Sequence, residues 1–322
     1  MPMTTGASFL PAGAMVALAT PVHADGSLDE GGLERLVQRV VSGGVDGISP
    51  LGSTGEGARF TRAQRREITR RVRALAPPGM PVIPGLPLVT PGEGPAELEG
   101  LAEAGATAAL VAPPSYYPLT DDGVLRVYET VAERAPIPLL LYNIPVYTKI
   151  SLPPAVVGRL AAHPAIAGIK DSSRDMEYQA QVIAATEGAE FRVLTGADTL
   201  LVVGLTHGAA GIIGASANLV PELTSGVCRA FAAGDVAAAL GLQRRLTRIT
   251  GACRRGAPPA GWKAALEIAG VCQAHPVPPG TGLSAAERAS LVDTLTAEGL
   301  AAGSAAAGPA AGTTQSAAGT GG

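Results

Sequence analysis

The stretch PAIAGIKDSSRD, residues 164–175, sets the pattern from which the fold is predicted. Its first half consists of small and apolar residues, which is typical of a buried strand, and Lys170 follows where that strand ends. Lysine is scarce in this chain, which has only Lys149, Lys170 and Lys263 among its 24 basic residues. A lysine at the end of an apolar strand therefore needs a reason other than solubility.

Apolar runs of the same kind recur along the chain, separated by segments of helical period such as DEGGLERLVQRVVSGG. Near-continuous apolar strands that alternate with helices predict a parallel sheet covered by helices, and eight of them predict a closed (β/α)8 TIM barrel of the α/β class. The eight runs are AMVALATP, VDGISPLG, PVIPGL, AALVAPP, IPLLLYNIP, AIAGIKDSS, FRVLTGAD and GAAGIIGASAN.

The strand pattern stops near residue 220, and only helical periodicity follows. We therefore predict a barrel catalytic domain over residues 1–220 and a C-terminal helical extension over residues 221–300. Residues 301–322 consist almost entirely of Ala, Gly, Ser and Thr, too poor in large apolar groups to pack, and we predict a disordered tail there.

The composition excludes several classes of protein. The net charge is −3 and no basic cluster is interleaved with aromatic residues, so nucleic acid is not an expected partner. No run of eighteen apolar residues and no signal-peptide pattern occurs, so we expect a cytoplasmic protein without a membrane partner. The three cysteines and four histidines are too scattered to predict a disulfide framework or a metal site.

Two interpretations of Lys170 are open from its position alone. A lysine at a strand end can extend its ammonium group to solvent while its aliphatic stem stays buried. Alternatively, burial disfavours the charged form, and a neutral amine can attack a ketone to form a Schiff base. The resulting iminium is an electron sink, so this chemistry needs no metal or other cofactor. The second interpretation predicts a covalent imine with Lys170.

Tyr142 ends the preceding strand, in IPLLLYNIP. A tyrosine at this position is commonly a core residue with its hydroxyl at the rim. Adjacent strand ends lie about 5 Å apart, however, so its hydroxyl can reach a ligand bound by Lys170. Tyr142 is therefore also a candidate general acid and base.

The segment PLGSTGEGARF follows the second strand. It is interpretable as a tight turn that needs Gly52, Gly55 and Gly57 for their dihedral angles. It is equally interpretable as an anion site, in which backbone N–H groups join the hydroxyls of Ser53 and Thr54. No GK[ST] follows, so a carboxylate is a better candidate than a nucleotide phosphate.

Other polar residues have weaker signals. Tyr116 and Tyr117, in the loop APPSYYPLTDDG, fit packing or a subunit interface. Asp171 and Glu56 fit a loop-bracing role as well as a catalytic one.

Taken together, these motifs resemble the pyruvate-dependent class I aldolases typified by dihydrodipicolinate synthase and N-acetylneuraminate lyase. GVDGISPLGSTGEG, YNIP, GIKDSS and GAAGIIGASAN occur in order, and the resemblance runs from about Gly13 to about Gly299. It implies that Lys170 forms the Schiff base with pyruvate or another 2-oxo acid. It further implies that Ser53, Thr54 and Gly55 bind the carboxylate of that acid.

The resemblance also implies roles for residues outside these motifs. Tyr142 would shuttle protons, in a relay that Thr54 and a Tyr116 contributed by a partner subunit complete. Ile213 would face the active site with its backbone carbonyl. Family members are usually homotetramers built as dimers of dimers, and we expect the same assembly here.

One departure from the family pattern bears on the second substrate. In the synthase an arginine follows YN-x-P after one residue and holds the carboxylate of aspartate semialdehyde, whereas this chain has Tyr147 there. A neutral phenol cannot replace a bidentate guanidinium. Lys149 is close enough in sequence to serve an acidic group instead.

We therefore expect a lyase that forms or cleaves a C–C bond between pyruvate and an aldehyde, acting on a 2-keto-3-deoxy sugar acid or a related hydroxy-2-oxo acid. The alternatives are a 4-hydroxy-tetrahydrodipicolinate synthase that uses pyruvate and aspartate semialdehyde, a dehydratase or hydratase-aldolase of the same family, and a non-catalytic 2-oxo-acid sensor.

Overall fold

The computed structural model describes residues 9–301, and its eight strands form one parallel sheet. The strands are β1 Gly13–Ala17, β2 Gly47–Ser49, β3 Gly85–Pro87, β4 Ala109–Ala112, β5 Leu139–Asn143, β6 Ile166–Asp171, β7 Arg192–Thr195 and β8 Gly211–Gly214. Their order in the sheet is β2-β1-β8-β7-β6-β5-β4-β3. The two edges meet where the Ile48 N–H donates to the Pro81 carbonyl (2.9 Å) and the Ile83 N–H donates to the Ile48 carbonyl (2.8 Å). These bonds close the barrel.

Each of the eight predicted apolar runs overlaps one of these strands, and the predicted (β/α)8 fold class is confirmed. Helices follow the strands and surround the barrel. They are α1 Glu30–Ser42, α2 Arg62–Leu75, α3 Gly94–Glu103, α4 Asp121–Ala132, α5 Pro145–Thr148, α6 Pro154–Leu160, α7 Met176–Ala185, α8 Leu201–Thr206, α9 Pro221–Ala232, α10 Val236–Cys253, α11 Ala260–Ile268 and α12 Ala285–Ala297.

Helix α1 illustrates why these segments are helical. The Asp29 side chain accepts a hydrogen bond from the Gly32 N–H (2.8 Å), which caps the first turn. Leu33, Leu36 and Val40 recur at helical spacing and are fully buried against the barrel. The helix therefore presents one apolar face inward and leaves its charged face to solvent.

The inside of the barrel is filled by its own side chains. Met15, Leu110, Leu140 and Ile213 belong to this interior cluster, and so does Tyr142, which lies at the carboxyl end of β5. In (β/α)8 barrels that end of the strands forms the catalytic face. The interior cluster therefore supports the floor of a site at this face.

The helical extension begins one helix later than predicted. Helix α9 follows β8 and packs Leu223 and Val227 into the same core as β1, so it is the eighth barrel helix. The predicted boundary at residue 220 is therefore about one helix too early, because a barrel helix and an extension helix have the same apolar period. Helices α10, α11 and α12 form the extension, and residues 302–322 of the predicted tail lie outside the described residues. No helix within residues 9–301 is long and apolar enough to cross a membrane.

Candidate active site

Lys170 and Tyr142 lie side by side at the carboxyl ends of two neighbouring strands. They are directly paired in the register of β5 and β6, and Lys170 Nζ is 4.7 Å from the centroid of the Tyr142 ring. Lys170 is only 4% exposed, and its Nζ has no hydrogen-bond or ion-pair partner within the described chain. Because no carboxylate neutralises the amine, it is free to meet a ligand.

The glycine-rich loop after β2 lies next to this pair. Its Ser53 Oγ is 3.3 Å from the Tyr142 hydroxyl. The successive N–H groups of Ser53, Thr54 and Gly55 donate no hydrogen bond to another described residue, so they are available to an anion. The loop is also a tight turn, because a Cβ added to Gly57 would lie 1.9 Å from the Leu51 carbonyl oxygen. The two interpretations of this motif therefore describe the same structure.

A cavity of about 330 Å³ opens above Lys170. Lysine, hydroxyl and apolar groups from seven separate segments of the chain meet there. The predicted site residues that line it are Ser53, Thr54, Tyr142, Tyr147, Lys170 and Ile213. The structure thus brings six of the eight predicted site residues to one cavity.

The other two predicted residues lie elsewhere. Gly55 does not line the cavity, and a Cβ there would lie 2.6 Å from the Leu18 carbonyl oxygen. Tyr116 is 88% exposed, stacks edge to face on Tyr117 and makes no side-chain hydrogen bond within residues 9–301. A role for Tyr116 in the relay therefore requires a second subunit.

A second cavity of about 270 Å³ adjoins the first. Both are lined by Ser53 and Tyr142, and the second extends to Ser115, next to the exposed Tyr116. An aromatic side chain from outside could therefore approach the Tyr142 hydroxyl through this cavity.

Asp171 braces the strand ends. Its carboxylate is buried and accepts hydrogen bonds from Asn143 Nδ2 (2.8 Å), the Ser173 N–H (3.1 Å) and Ser173 Oγ (2.9 Å). Burial raises the pKa of Asp171, and these hydrogen bonds oppose that rise. The side chain ties the end of β5 to the loop that follows Lys170, which supports the bracing interpretation.

Glu56 joins the glycine-rich loop to the helical extension. Its Oε1 lies 2.6 Å from Lys263 Nζ at ion-pair distance, although not at hydrogen-bond angles, and both side chains are almost fully buried. Its Oε2 accepts from the Val277 N–H (3.0 Å) and pairs with Arg59. Burial lowers the pKa of Lys263, and the charge of Glu56 opposes that change. This pair holds the loop against α11.

Tyr147 lies in the wall of the cavity. It is 49% exposed, burial raises the pKa of its hydroxyl, and the charges of Arg174 and Arg59 act in the opposite direction. Lys149 does not line the cavity, since its ammonium group donates to the Val146 carbonyl at 2.9 Å. The Lys149 ammonium group is therefore engaged outside the cavity.

Several residues outside the predicted site set line the same cavity: Ser172, Ser173, Arg174, Asp198, Arg254 and Trp262. Asp198 follows β7 in the run that ends in Gly-Ala-Asp, so its strand-end position was a usable signal. Arg254 and Trp262 come from the extension, and no local pattern places them near Lys170. Within the described residues, no group of three or more His, Cys, Asp or Glu side chains could hold a metal ion.

The sequence matches the model of the dihydrodipicolinate synthetase family over residues 10–298. A 4-hydroxy-tetrahydrodipicolinate synthase from Acidiphilium cryptum is 33% identical over 288 residues, 89% of this chain and 98% of that protein. One from Methylococcus capsulatus is 40% identical over 236 residues, 73% of this chain and 80% of that protein. The crystal structure of YagE from E. coli K12 in complex with pyruvate has a TM-score of 0.86 and 31% identity, and the match covers 90% of this chain and 99% of that one.

Proposed function

Since this chain belongs to the dihydrodipicolinate synthetase family and is thereby a pyruvate-dependent lyase of the class I aldolase type, we propose that Lys170 forms the Schiff base with pyruvate. The observation that carries the proposal is the buried, unpaired Nζ beside the Tyr142 ring. The free N–H groups of the neighbouring loop support it, because they suit the carboxylate of a 2-oxo acid.

The Lys170 amine attacks the carbonyl carbon of pyruvate, and loss of water from the carbinolamine gives the imine. The methyl carbon then loses a proton to give an enamine, whose electron pair forms the new C–C bond with the aldehyde carbon. The aldehyde oxygen takes up a proton, and hydrolysis of the imine releases the product and restores the amine. Cleavage follows the same steps in reverse, and the iminium fills the electron-sink role without a metal.

Tyr142 is the proposed proton carrier for these steps. Its ring lies beside Lys170 Nζ, and its hydroxyl lies 3.3 Å from Ser53 Oγ. A tyrosine whose ring lies beside the amine and whose hydroxyl lies beside the carboxylate-binding loop can move a proton to and from the carbinolamine oxygen. Ser53 and Thr54 bind the carboxylate, and the Ile213 carbonyl faces the bound 2-oxo acid.

Two substrate classes are candidates. The named relatives favour 4-hydroxy-tetrahydrodipicolinate synthase, the alternative that joins pyruvate to aspartate semialdehyde. Tyr147 in the cavity favours the other candidate, a hydroxy-2-oxo acid such as a 2-keto-3-deoxy sugar acid. We propose the synthase as the first to test, because two relatives with that name are at least 33% identical to this chain.

The assembly belongs to the proposal as well. We propose a homotetramer in which Tyr116 of one subunit completes the relay of Thr54 and Tyr142 in its neighbour. The exposure of Tyr116 and the second cavity beside Ser115 support this role. The three free cysteines, two of them buried, suit a cytoplasmic protein.

Turnover assays separate the candidates. Condensation of pyruvate with aspartate semialdehyde is followed with a coupled reductase, and pyruvate release is followed from a panel of hydroxy-2-oxo acids. Turnover of the semialdehyde well above that of every panel member is the expected result. Pyruvate release from one panel member without condensation identifies a cleaving aldolase, and loss of water without a change in carbon number identifies a dehydratase. Binding without any turnover would identify a sensor.

A further inference from the structure

Two arginines line the catalytic cavity without partners. Arg174 follows β6, and Arg254 follows α10 in the helical extension, so they come from different parts of the fold. Neither guanidinium forms an ion pair or a side-chain hydrogen bond with any residue in the described range 9–301. In contrast, Arg65 and Arg248 form ion pairs with glutamate side chains, as do most arginines of this chain whose guanidinium group has a partner.

The charged groups that line the cavity are Lys170, Arg174, Arg254 and Asp198. Asp198 already accepts a hydrogen bond from the Ser216 N–H at 2.9 Å. Partial burial lowers the pKa of Arg254, the charge of Arg174 lowers it further, and only Asp198 opposes them. With Lys170 consumed as an imine, the free N–H groups of the glycine-rich loop suit the single carboxylate of pyruvate. The two guanidinium groups therefore remain available to a second anion.

The backbone conformation of Arg174 is consistent with a role for its side chain in ligand binding. Its φ is +66°, in the left-handed region that favours glycine. A non-glycine residue in this region is strained, and such residues cluster at ligand-binding sites.

We propose that Arg174 and Arg254 form a subsite for an acidic group on the acceptor aldehyde, so that the acceptor is an anion such as an aldehyde carboxylic acid. This inference rests on the proposed Schiff base at Lys170. Tyr147 stands at the position where the family pattern has an arginine. The proposed subsite supplies a positive charge near that position, because the charge of Arg174 acts on the Tyr147 hydroxyl. Guanidinium groups bind carboxylates by paired, charge-assisted hydrogen bonds.

Borohydride trapping with 2-oxo diacids tests the subsite without knowledge of the natural acceptor. 2-Oxoglutarate and 2-oxoadipate carry a distal carboxylate, as the condensation product would, whereas 2-oxopentanoate and 2-oxohexanoate match their carbon chains without it. The half-saturating concentration for imine trapping on Lys170 is measured for each acid. For at least one diacid we expect a concentration about tenfold or more below that of its monoacid.

The variants Arg174→Gly and Arg254→Gln should remove this preference. Glycine suits the left-handed backbone at position 174, so that variant keeps the fold, and trapping of pyruvate should change less than twofold in both. Arg159→Gln is the matched control, because Arg159 is an exposed arginine on α6 that lines none of the cavities described above. Equal trapping of diacids and monoacids by the unaltered protein, or a preference that both variants retain, would overturn the subsite. Failure to trap pyruvate itself would instead overturn the proposed Schiff base.

Discussion

Replacement of Lys263 by methionine should destabilise the protein and weaken its activity together. Lys263 and Glu56 are 1% and 2% exposed, and the Lys263 ammonium also donates to the His275 carbonyl at 2.7 Å. Removal of one partner of a buried pair leaves the other charge without compensation, which costs about 3–5 kcal/mol. Arg59 still contacts Glu56, so we expect the lower end, about 3 kcal/mol.

This free energy predicts a measurable change in melting temperature. About 290 ordered residues give an unfolding entropy of roughly 0.6 kcal/mol/K, so a loss of about 3 kcal/mol lowers the Tm by about 5 °C. Calorimetry or circular dichroism at matched protein concentration measures this shift. The matched control is Arg288→Met, since Arg288 pairs with Glu267 at 2.7 Å on the surface, where such pairs contribute about 1 kcal/mol or less.

The double variant Glu56→Leu/Lys263→Met tests whether the loss of stability comes from an uncompensated buried charge or from lost side-chain packing. Two apolar side chains in place of the pair should recover most of the stability, because neither buried charge remains. In Glu56→Gln the unopposed burial lowers the pKa of Lys263 further, so the folded state binds fewer protons than the unfolded state below the ordinary lysine pKa. Its free energy of unfolding should therefore rise as the pH increases toward about 10. A Tm for Lys263→Met within 1 °C of the unaltered protein would refute the anchoring role.

Three further predictions concern the site and the thiols. Tyr142→Phe should lower kcat about 10²-fold or more with a small change in the pyruvate KM, because a proton carrier and not a binding group is lost, and steady-state kinetics decides this. Gly57→Ala should abolish pyruvate trapping, because its Cβ would lie 1.9 Å from the Leu51 carbonyl oxygen, whereas Gly92→Ala has nothing within 4 Å and should not. Burial raises the pKa of Cys272 to about 11. At pH 8 its thiolate fraction should therefore be about 100-fold lower than in the unfolded chain, and its rate of reaction with a thiol reagent should be lower by the same factor. Equal rates before and after urea unfolding would contradict that burial.

The barrel and the centre of its site are predictable from local sequence. A buried parallel strand is apolar along its whole length, so each run identifies a strand without reference to its neighbours. Because all carboxyl ends converge at one face, the residue that ends a run, such as Lys170 or Tyr142, is brought to the site by topology alone. The structure adds that these two are register partners.

The remainder of the site depends on contacts between distant segments. Arg254 comes from the helical extension, and the Glu56–Lys263 pair joins residues about 200 positions apart, so no periodicity or motif connects them. Tyr116 lies outside the cavity of its own chain, and its proposed role depends on a second chain. The late start of the extension has a similar cause, since helix period does not reveal what a helix packs against.

Trapping of pyruvate on Lys170 tests the central claim most directly. The protein is incubated with pyruvate and borohydride, digested and sequenced by mass spectrometry, with Lys170→Arg as the control. We predict one reduced pyruvyl adduct per chain, located on Lys170 and absent from the variant. An adduct on another lysine, or turnover with no adduct at all, would contradict the proposed Schiff base.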